Sequence, residues 1–239
     1  MTKKTLYLLH GLCASSHVWE AFTKLKFINE RFDICVLQYP LHLEKSSFDI
    51  LIEYFQKQIE SYGQKNGILC GHSLGAHLGI RLGEIFPELD LILIQCSPAL
   101  DLQDLFSYFK PSRALECLYQ EKWSGQEQEL IESHLFSSFG SGKLRLENES
   151  WEFLRRDLAQ DLNHGIYKNE IEMLNRRSSK TALLISGGDK LIETDRVFYR
   201  LAELVPSLKI LQTQGSGHYA FYDSLNEWFG TDVKKCFDF

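Results

Sequence analysis

Apolar and polar residues alternate along the chain in blocks that predict strands and helices in turn. The six predicted strands are Thr5–His10, Phe32–Gln38, Gly67–Cys70, Asp90–Cys96, Thr181–Ser186 and Leu208–Gln212. Strands that are apolar throughout and separated by helices indicate a parallel sheet covered on both faces. The pattern therefore predicts an α/β fold with a mostly parallel sheet of about six strands and helices on both sides.

Periodic apolar positions between the strands predict the helices. The clearest helix is Ser46–Tyr62, which ends before Gly63, a typical stop signal. Its apolar positions recur every three or four residues and define one buried face. The other predicted helices of this part are Leu74–Phe86, Thr194–Leu204 and Tyr222–Phe229.

The alternation stops between the fourth and fifth strands. Residues 97 to about 179 have a helical and loop-like pattern without a convincing strand. Such a segment is too long for a plain loop, so we expect it to carry its own helices. In a doubly wound sheet it would lie beyond the carboxyl ends of the strands, where ligands bind. We therefore predict a core of residues 1–96 and 181–239 and a helical lid insertion at 97–180.

Composition and charge exclude several classes of protein. Of the 239 residues, 44% are hydrophobic and 24% charged, which excludes a disordered, collagen-like or coiled-coil chain. The net charge of −6 makes nonspecific nucleic-acid binding a poor expectation. No run of 18 apolar residues occurs, so we expect no membrane span. The cysteines are scattered and several lie in apolar runs, which favours reduced thiols and a cytoplasmic location.

A serine in a glycine-flanked turn is the sharpest chemical signal. The segment Gly71–Gly75 (GHSLG) lies between the strand Gly67–Cys70 and the helix Leu74–Phe86. This is the context of a nucleophile elbow, in which a tight turn exposes the serine above the sheet and the flanking positions must lack bulk. Ser73 is the predicted nucleophile. The alternative is an ordinary strand–helix turn whose glycines serve packing only.

A serine hydroxyl is a weak nucleophile and needs a base. His218 follows the last predicted strand and so lies at the same edge of the sheet as Ser73. The alternative for His218 is a histidine in a surface loop. The other seven histidines are His10, His17, His42, His72, His77, His134 and His164.

The base in turn needs a carboxylate that orients it. Asp189 follows the strand Thr181–Ser186 through two glycines, again at a carboxyl end. Glu193 and Asp195 are close by but fall at the start of a helix, where the macrodipole explains an acidic residue. Asp189 is therefore the predicted orienting residue of His218.

The negative oxygen of a tetrahedral intermediate needs preorganised N–H donors. One donor is the backbone N–H of Leu74, directly after the predicted nucleophile. The loop after the first strand, His10-Gly11-Leu12, supplies the other, and we assign it to the backbone N–H of Leu12.

Together these motifs resemble the α/β-hydrolase superfamily over essentially the whole chain. The matching segments, in family order, are Leu9–Gly11, Gly71–Gly75, Gly187–Asp189 and Gly217–His218. The resemblance implies the α/β-hydrolase fold, and the insertion matches the position of the helical lid of that family. The chain order serine, aspartate, histidine is also the order of that family.

Within the superfamily the chain is similar to small single-lid esterases, including the pimeloyl-acyl-carrier-protein methyl ester esterases of biotin synthesis. That resemblance implies an acyl carrier protein as partner, held by basic lid residues. The residues in question are Arg155, Arg156, Arg176, Arg177 and Lys180. Residues 141–180 contain 8 basic and 7 acidic side chains, so a mixed solvated helix face explains them equally well.

The leading hypothesis is a serine hydrolase that cleaves a small-molecule or carrier-protein-linked carboxylic ester through an acyl-enzyme. It needs no cofactor and no metal. One alternative is a lyase or C–C hydrolase on the same triad, since the small synthase of menaquinone biosynthesis resembles this layout too. The other is a binding protein that kept the fold without catalysis.

Overall fold

The computed structural model describes residues 3–12, 14–40, 47–63, 66–100, 102–118, 120, 123–135, 169–223 and 225–238. One six-stranded sheet lies at the centre, with the strand order β2-β1-β3-β4-β5-β6. The strands are β1 Lys4–Leu9, β2 Phe32–Val36, β3 Gly67–His72, β4 Asp90–Ile94, β5 Thr181–Gly188 and β6 Lys209–Ser216. All five pairings between these strands are parallel, which confirms the predicted sheet.

Burial explains why these segments are strands. Every residue of β3 and β4 is buried, as expected for central parallel strands that are covered on both faces. The register places His72 opposite Ile94, and Ile94 opposite Leu184. The carboxyl ends of β3, β4 and β5 therefore lie side by side, and the residues that follow these strands meet at one edge.

Helices cover both faces of the sheet. In the described ranges they are α1 Glu20–Thr23, α2 Lys26–Arg31, α3 Phe48–Tyr62, α4 Leu74–Ile85, α5 Leu102–Ser107, α6 Arg113–Leu118, α7 Gly125–Leu135, α8 Glu170–Arg177, α9 Thr194–Leu204, α10 Ala220–Asp223, α11 Leu225–Trp228 and α12 Thr231–Lys235. None of them is long and apolar enough to cross a bilayer.

Helix α3 shows how the local sequence sets both ends of a helix. The Ser47 hydroxyl accepts a hydrogen bond from the backbone N–H of Ile50 at 3.3 Å, so the helix begins at Phe48. Gly63, with a φ of 79°, ends it in the left-handed conformation that glycine tolerates best. The predicted start at Ser46 was therefore two residues early, and the predicted end is confirmed.

The remaining differences from the prediction are local. The predicted helix Tyr222–Phe229 is two short helices, α10 and α11. The strands β5 and β6 extend beyond their apolar runs, to Gly188 and Ser216. The helices α1 and α2 were not predicted, because four to six residues are too few to show a helical period.

The described parts of the predicted insertion are helical. Helices α5, α6 and α7 precede residues 136–168 along the chain, and α8 follows them. Residues 136–168 themselves lie outside the described residues. Helix α8 packs against α4 of the core. An antiparallel bridge between Phe109 and Ile192 joins the insertion to the loop after β5. The assignment of residues 97–180 as a lid stays a prediction.

Candidate active site

Ser73 occupies a strained turn between β3 and α4. Its φ of 53° and ψ of −119° lie outside the regions that non-glycine residues prefer, at a cost of about 1–3 kcal/mol. The turn is tight because its glycines touch backbone. A Cβ on Gly71 would lie 2.3 Å from the carbonyl oxygen of Gly75, and one on Gly75 would lie 2.4 Å from that of Leu9. The turn therefore has the conformation that the G-x-S-x-G pattern predicts.

His218 and Asp189 form a buried pair at the same edge of the sheet. Nδ1 of His218 lies 2.7 Å from Oδ2 of Asp189, and the two side chains are 5% and 0% exposed. Gly217, with a φ of 86°, turns the chain after β6 and donates a hydrogen bond to the Gly188 carbonyl at 3.1 Å. The backbone N–H of His218 donates to the carbonyl of Leu135 in α7 at 2.9 Å. The loop of His218 is thus held from both the core and the insertion.

The carboxylate of Asp189 accepts four hydrogen bonds. Oδ1 accepts from the backbone N–H groups of Leu191 and Ile192 at 2.7 and 3.1 Å. Oδ2 accepts from His218 and from the side-chain amide of Gln95, the latter at 2.5 Å. Because Nδ1–H of His218 donates its hydrogen bond to this carboxylate, Nε2 carries the lone pair of the imidazole and is the nitrogen that can act as a base.

Sequence reasoning missed Gln95. It follows β4 directly, is 3% exposed and has a φ of 50°. Its side-chain oxygen accepts a hydrogen bond from the backbone N–H of Ser186 at 2.6 Å, and its nitrogen donates to Asp189. The available signal was a polar side chain at the carboxyl end of the apolar strand DLILIQ. Only the register of β4 against β5 shows that this side chain lies next to Ser186 and Asp189.

His72 connects the serine turn to the histidine loop. It precedes Ser73, and its Nε2 donates a hydrogen bond to the backbone carbonyl of His218 at 2.9 Å. The centroids of these two imidazole rings are 4.9 Å apart. In the described part of the chain no hydrogen bond joins the Ser73 hydroxyl to His218. The structure thus pairs Asp189 with His218 directly and links Ser73 to them through its neighbour.

The loop after β1 packs against the serine turn. A Cβ on Gly11 would lie 3.1 Å from Cβ of Ser73. Leu12 follows this close contact, and Leu74 is the first residue of α4, where a backbone N–H has no acceptor within its own helix. His10 is buried, which lowers the pKa of its imidazole to about 4. The ring is therefore neutral at pH 7 and adds no charge beside the two predicted donors.

The predicted carrier-protein contacts are only partly described. Arg155 and Arg156 lie outside the described residues. Arg176 is bound to Glu84 and Glu172 at 2.7 and 2.8 Å.

Arg177 is 8% exposed and donates a hydrogen bond to the Leu89 carbonyl. Its burial does not fit a direct contact with a partner protein.

A second, largely buried group of polar side chains lies one turn after Ser73. Nδ1 of His77, whose side chain is 18% exposed, is 2.8 Å from Oε1 of Glu170, whose side chain is 1% exposed, and the Cys96 thiol lies close to His77. Burial by itself lowers the pKa of His77, but Cys96 and Glu170 outweigh it and hold that pKa well above its usual range. Among the described residues no group of three His, Cys, Asp or Glu side chains is arranged to hold a metal ion.

Comparison with known proteins establishes the family. The sequence model for the Alpha/beta hydrolase family matches residues 6–229. The chain belongs to the alpha/beta hydrolase family. No curated protein matches this alpha/beta hydrolase.

Several solved structures share the fold of this alpha/beta hydrolase. An N-acyl homoserine lactonase, AidH in complex with N-butanoyl homoserine, is 16% identical with a TM-score of 0.79, covering 100% of this chain and 91% of that one. A structure from a study of carboxylesterases of the ammonia-oxidizing thaumarchaeon Nitrososphaera gargenis is 16% identical with a TM-score of 0.70, covering 97% and 88%. The serine hydrolase CCSP0084 from Cycloclasticus zankles is 15% identical with a TM-score of 0.72, covering 99% and 90%. At such identities the likeness shows the fold alone.

Proposed function

We propose that this alpha/beta hydrolase is a serine hydrolase of carboxylic esters, including thioesters. One observation carries the proposal. Ser73 is held in a strained turn at the sheet edge where the buried pair of His218 and Asp189 lies. Backbone strain of this kind persists only where the surrounding structure enforces it, and it is concentrated at functional sites.

In the proposed reaction the Ser73 hydroxyl attacks the acyl carbon of the ester while Nε2 of His218 takes its proton. Asp189 orients the imidazole and stabilises its charged form. The backbone N–H groups of Leu12 and Leu74 stabilise the negative oxygen of the tetrahedral intermediate, and the loss of one such donor typically costs about 100- to 1000-fold in rate.

The imidazolium then gives its proton to the leaving alcohol or thiol, which departs and leaves Ser73 acylated. Water attacks this acyl-enzyme, and His218 takes a proton from that water. Collapse of the second tetrahedral intermediate releases the carboxylic acid and returns the proton to Ser73.

Analogy supports an ester as the substrate class. The structural neighbours include a lactonase, a structure from work on carboxylesterases and a serine hydrolase. The analogy is at the level of the fold, and function depends on the site. A methyl ester linked to an acyl carrier protein, as in biotin synthesis, rests on the sequence resemblance and enters the proposal as one substrate to be tested.

The decisive variant is Ser73→Ala. We expect it to lower kcat on a short p-nitrophenyl ester by at least about 10⁴-fold while the protein stays folded. A fluorophosphonate probe should label the wild type at Ser73 and fail to label the variant. Ser61→Ala is the matched control, because the Ser61 hydroxyl bonds only to a carbonyl of the exposed face of α3.

Unchanged turnover in a folded Ser73→Ala protein, or labelling at another residue, would contradict the proposal. A panel of methyl, p-nitrophenyl and carrier-linked esters of varied chain length then identifies the substrate. A product screen for elimination or C–C cleavage tests the lyase and C–C hydrolase alternatives on the same protein.

A further inference from the structure

Gln95 and His218 share one oxygen atom of Asp189. Both donate to Oδ2, at 2.5 Å from Gln95 and 2.7 Å from His218. The other oxygen, Oδ1, is bound by two backbone N–H groups. The carboxylate therefore accepts four hydrogen bonds from protein donors, and its side chain is 0% exposed.

The orientation of the Gln95 amide is fixed from two sides. Its oxygen accepts from the Ser186 N–H of β5 at 2.6 Å, so the nitrogen must face Asp189. The residue itself has a φ of 50°, which a non-glycine residue adopts only under constraint. The backbone N–H of Gln95 donates to the Leu184 carbonyl at 3.0 Å and continues the β4–β5 pairing through this turn.

We propose that Gln95 is a positioning residue of the reaction, which acts through Asp189 by fixing the oxygen that orients His218. This inference rests on the proposed function. The amide holds Oδ2 in line with Nδ1 of His218 and takes up part of the negative charge on that oxygen. The amide is neutral and does not titrate, so it donates to the carboxylate without itself taking up or releasing a proton.

Among the described residues, the titratable side chains placed near Asp189 are two histidines and two lysines. His218 faces the carboxylate, and the His72 ring lies 4.9 Å beyond the His218 ring. Lys110 donates from Nζ to the backbone carbonyl of Asp189 at 2.6 Å. Lys190 donates from Nζ to the Ser133 carbonyl.

Two variants separate a positioning role from a packing role. Gln95→Met keeps the unbranched shape and removes both hydrogen-bonding atoms. Gln95→Glu keeps the shape and the acceptor toward Ser186, and it places a second carboxyl group against Oδ2 of Asp189. Two carboxyl groups in contact share one proton, because both cannot ionise without strong repulsion.

For Gln95→Met we expect kcat on a p-nitrophenyl ester to fall by about 10-fold, the effect of one hydrogen bond to a charged group, with KM changed less than about threefold. For Gln95→Glu we expect activity only in the pH range where the shared proton is still present and replaces the amide donor, and where His218 can already act as a base. As the pH rises this proton leaves, so the profile of kcat/KM gains a descending limb that the wild type lacks. If Gln95→Met folds poorly, the pH profile of Gln95→Glu still tests the role of Gln95.

The control is Gln58→Met, which removes another amide that makes two hydrogen bonds, both to the backbone of Gln38 just after the edge strand β2. Wild-type kcat in Gln95→Met, or a wild-type pH profile in Gln95→Glu, overturns the role of Gln95. Ser73→Ala in the same assay keeps the two hypotheses apart. If it is inactive and the Gln95 variants behave as wild type, only the inference fails, whereas wild-type turnover of Ser73→Ala removes the proposed function itself.

Discussion

His72 donates a hydrogen bond from Nε2 to the backbone carbonyl of His218 at 2.9 Å. The residue before the proposed nucleophile therefore holds the backbone of the proposed base. Burial lowers the pKa of His72 well below its usual range, so the ring is neutral and its single proton is on Nε2. Nδ1 of His72 is buried and has no hydrogen-bond partner in the described ranges. In the described ranges, the hydrogen bond to the His218 carbonyl is thus the one that the His72 ring makes.

The first prediction concerns this contact. His72→Phe keeps an aromatic ring against Tyr219 and Phe221, whose centroids are 4.3 and 5.0 Å from that of His72, but removes the donor. We expect kcat on a p-nitrophenyl ester to fall by about 10-fold, since the His218 carbonyl loses a partner and the loop loses its fixed position. The free energy of unfolding should fall by about 1–2 kcal/mol in urea titrations.

His72→Gln tests the cause, because its side-chain nitrogen can replace Nε2 as a donor. It should recover part of the kcat that His72→Phe loses. Equal losses of kcat in the two variants would mean that the ring shape matters and the hydrogen bond does not.

The sequence predicted those parts of the site that depend on local pattern or on the general geometry of parallel sheets. The turn at Ser73 was predictable because its glycines, the strand before it and the helix after it are contiguous. Asp189 and His218 were predictable because both follow strands, and the carboxyl ends of parallel strands share one edge. Their hydrogen bond at 2.7 Å agrees with that reasoning.

Other parts of the site depend on register and could not be predicted. Gln95 reaches Asp189 across a separation of 94 residues, and only the pairing of β4 with β5 brings them together. The contact between His77 and Glu170 spans 93 residues and depends on how α8 packs against α4. No periodicity in the sequence encodes the relative position of two such elements.

The second prediction compares two glycines of α4. A Cβ on Gly75 would lie 2.4 Å from the Leu9 carbonyl oxygen, whereas one on Gly79 would lie 3.7 Å from a methyl group of Leu69, at ordinary contact distance. Gly75→Ala must displace backbone, so we expect it to cost at least about 3 kcal/mol of unfolding free energy. Gly79→Ala should be neutral or stabilise by up to about 1 kcal/mol, since alanine favours the helix interior.

Urea unfolding of the two variants measures both effects, and the esterase assay should show loss of activity only for Gly75→Ala. Both substitutions add one methyl group to the same helix, so the main difference between them is the space around that group. Equal stabilities would mean that the turn at Ser73 accommodates a side chain and is not tightly packed.

The third prediction concerns the pH dependence of stability and follows from the contact of His77 with Glu170. The pKa of His77 is raised in the folded protein above its value in the unfolded chain, near 6.5. The folded state therefore binds the proton more tightly, and the resulting stability is fully present below about pH 6.5. It is lost progressively as the pH rises through the folded pKa.

Glu170→Gln removes the charge that holds this proton. At pH 6 we expect the variant to be less stable than the wild type by about 3 kcal/mol, the usual cost of breaking a buried ion pair. The difference should narrow as the pH rises above about 6.5, because the unfolded chain then releases the proton that the folded wild type still holds on His77. Glu172→Gln is the control on the same helix, since Glu172 is 69% exposed and its pair with Arg176 should contribute less than about 1 kcal/mol. Urea titrations at pH 6, 7.5 and 9 measure the three proteins, and a gap between wild type and Glu170→Gln that stays constant with pH would show that His77 is not protonated in the folded state.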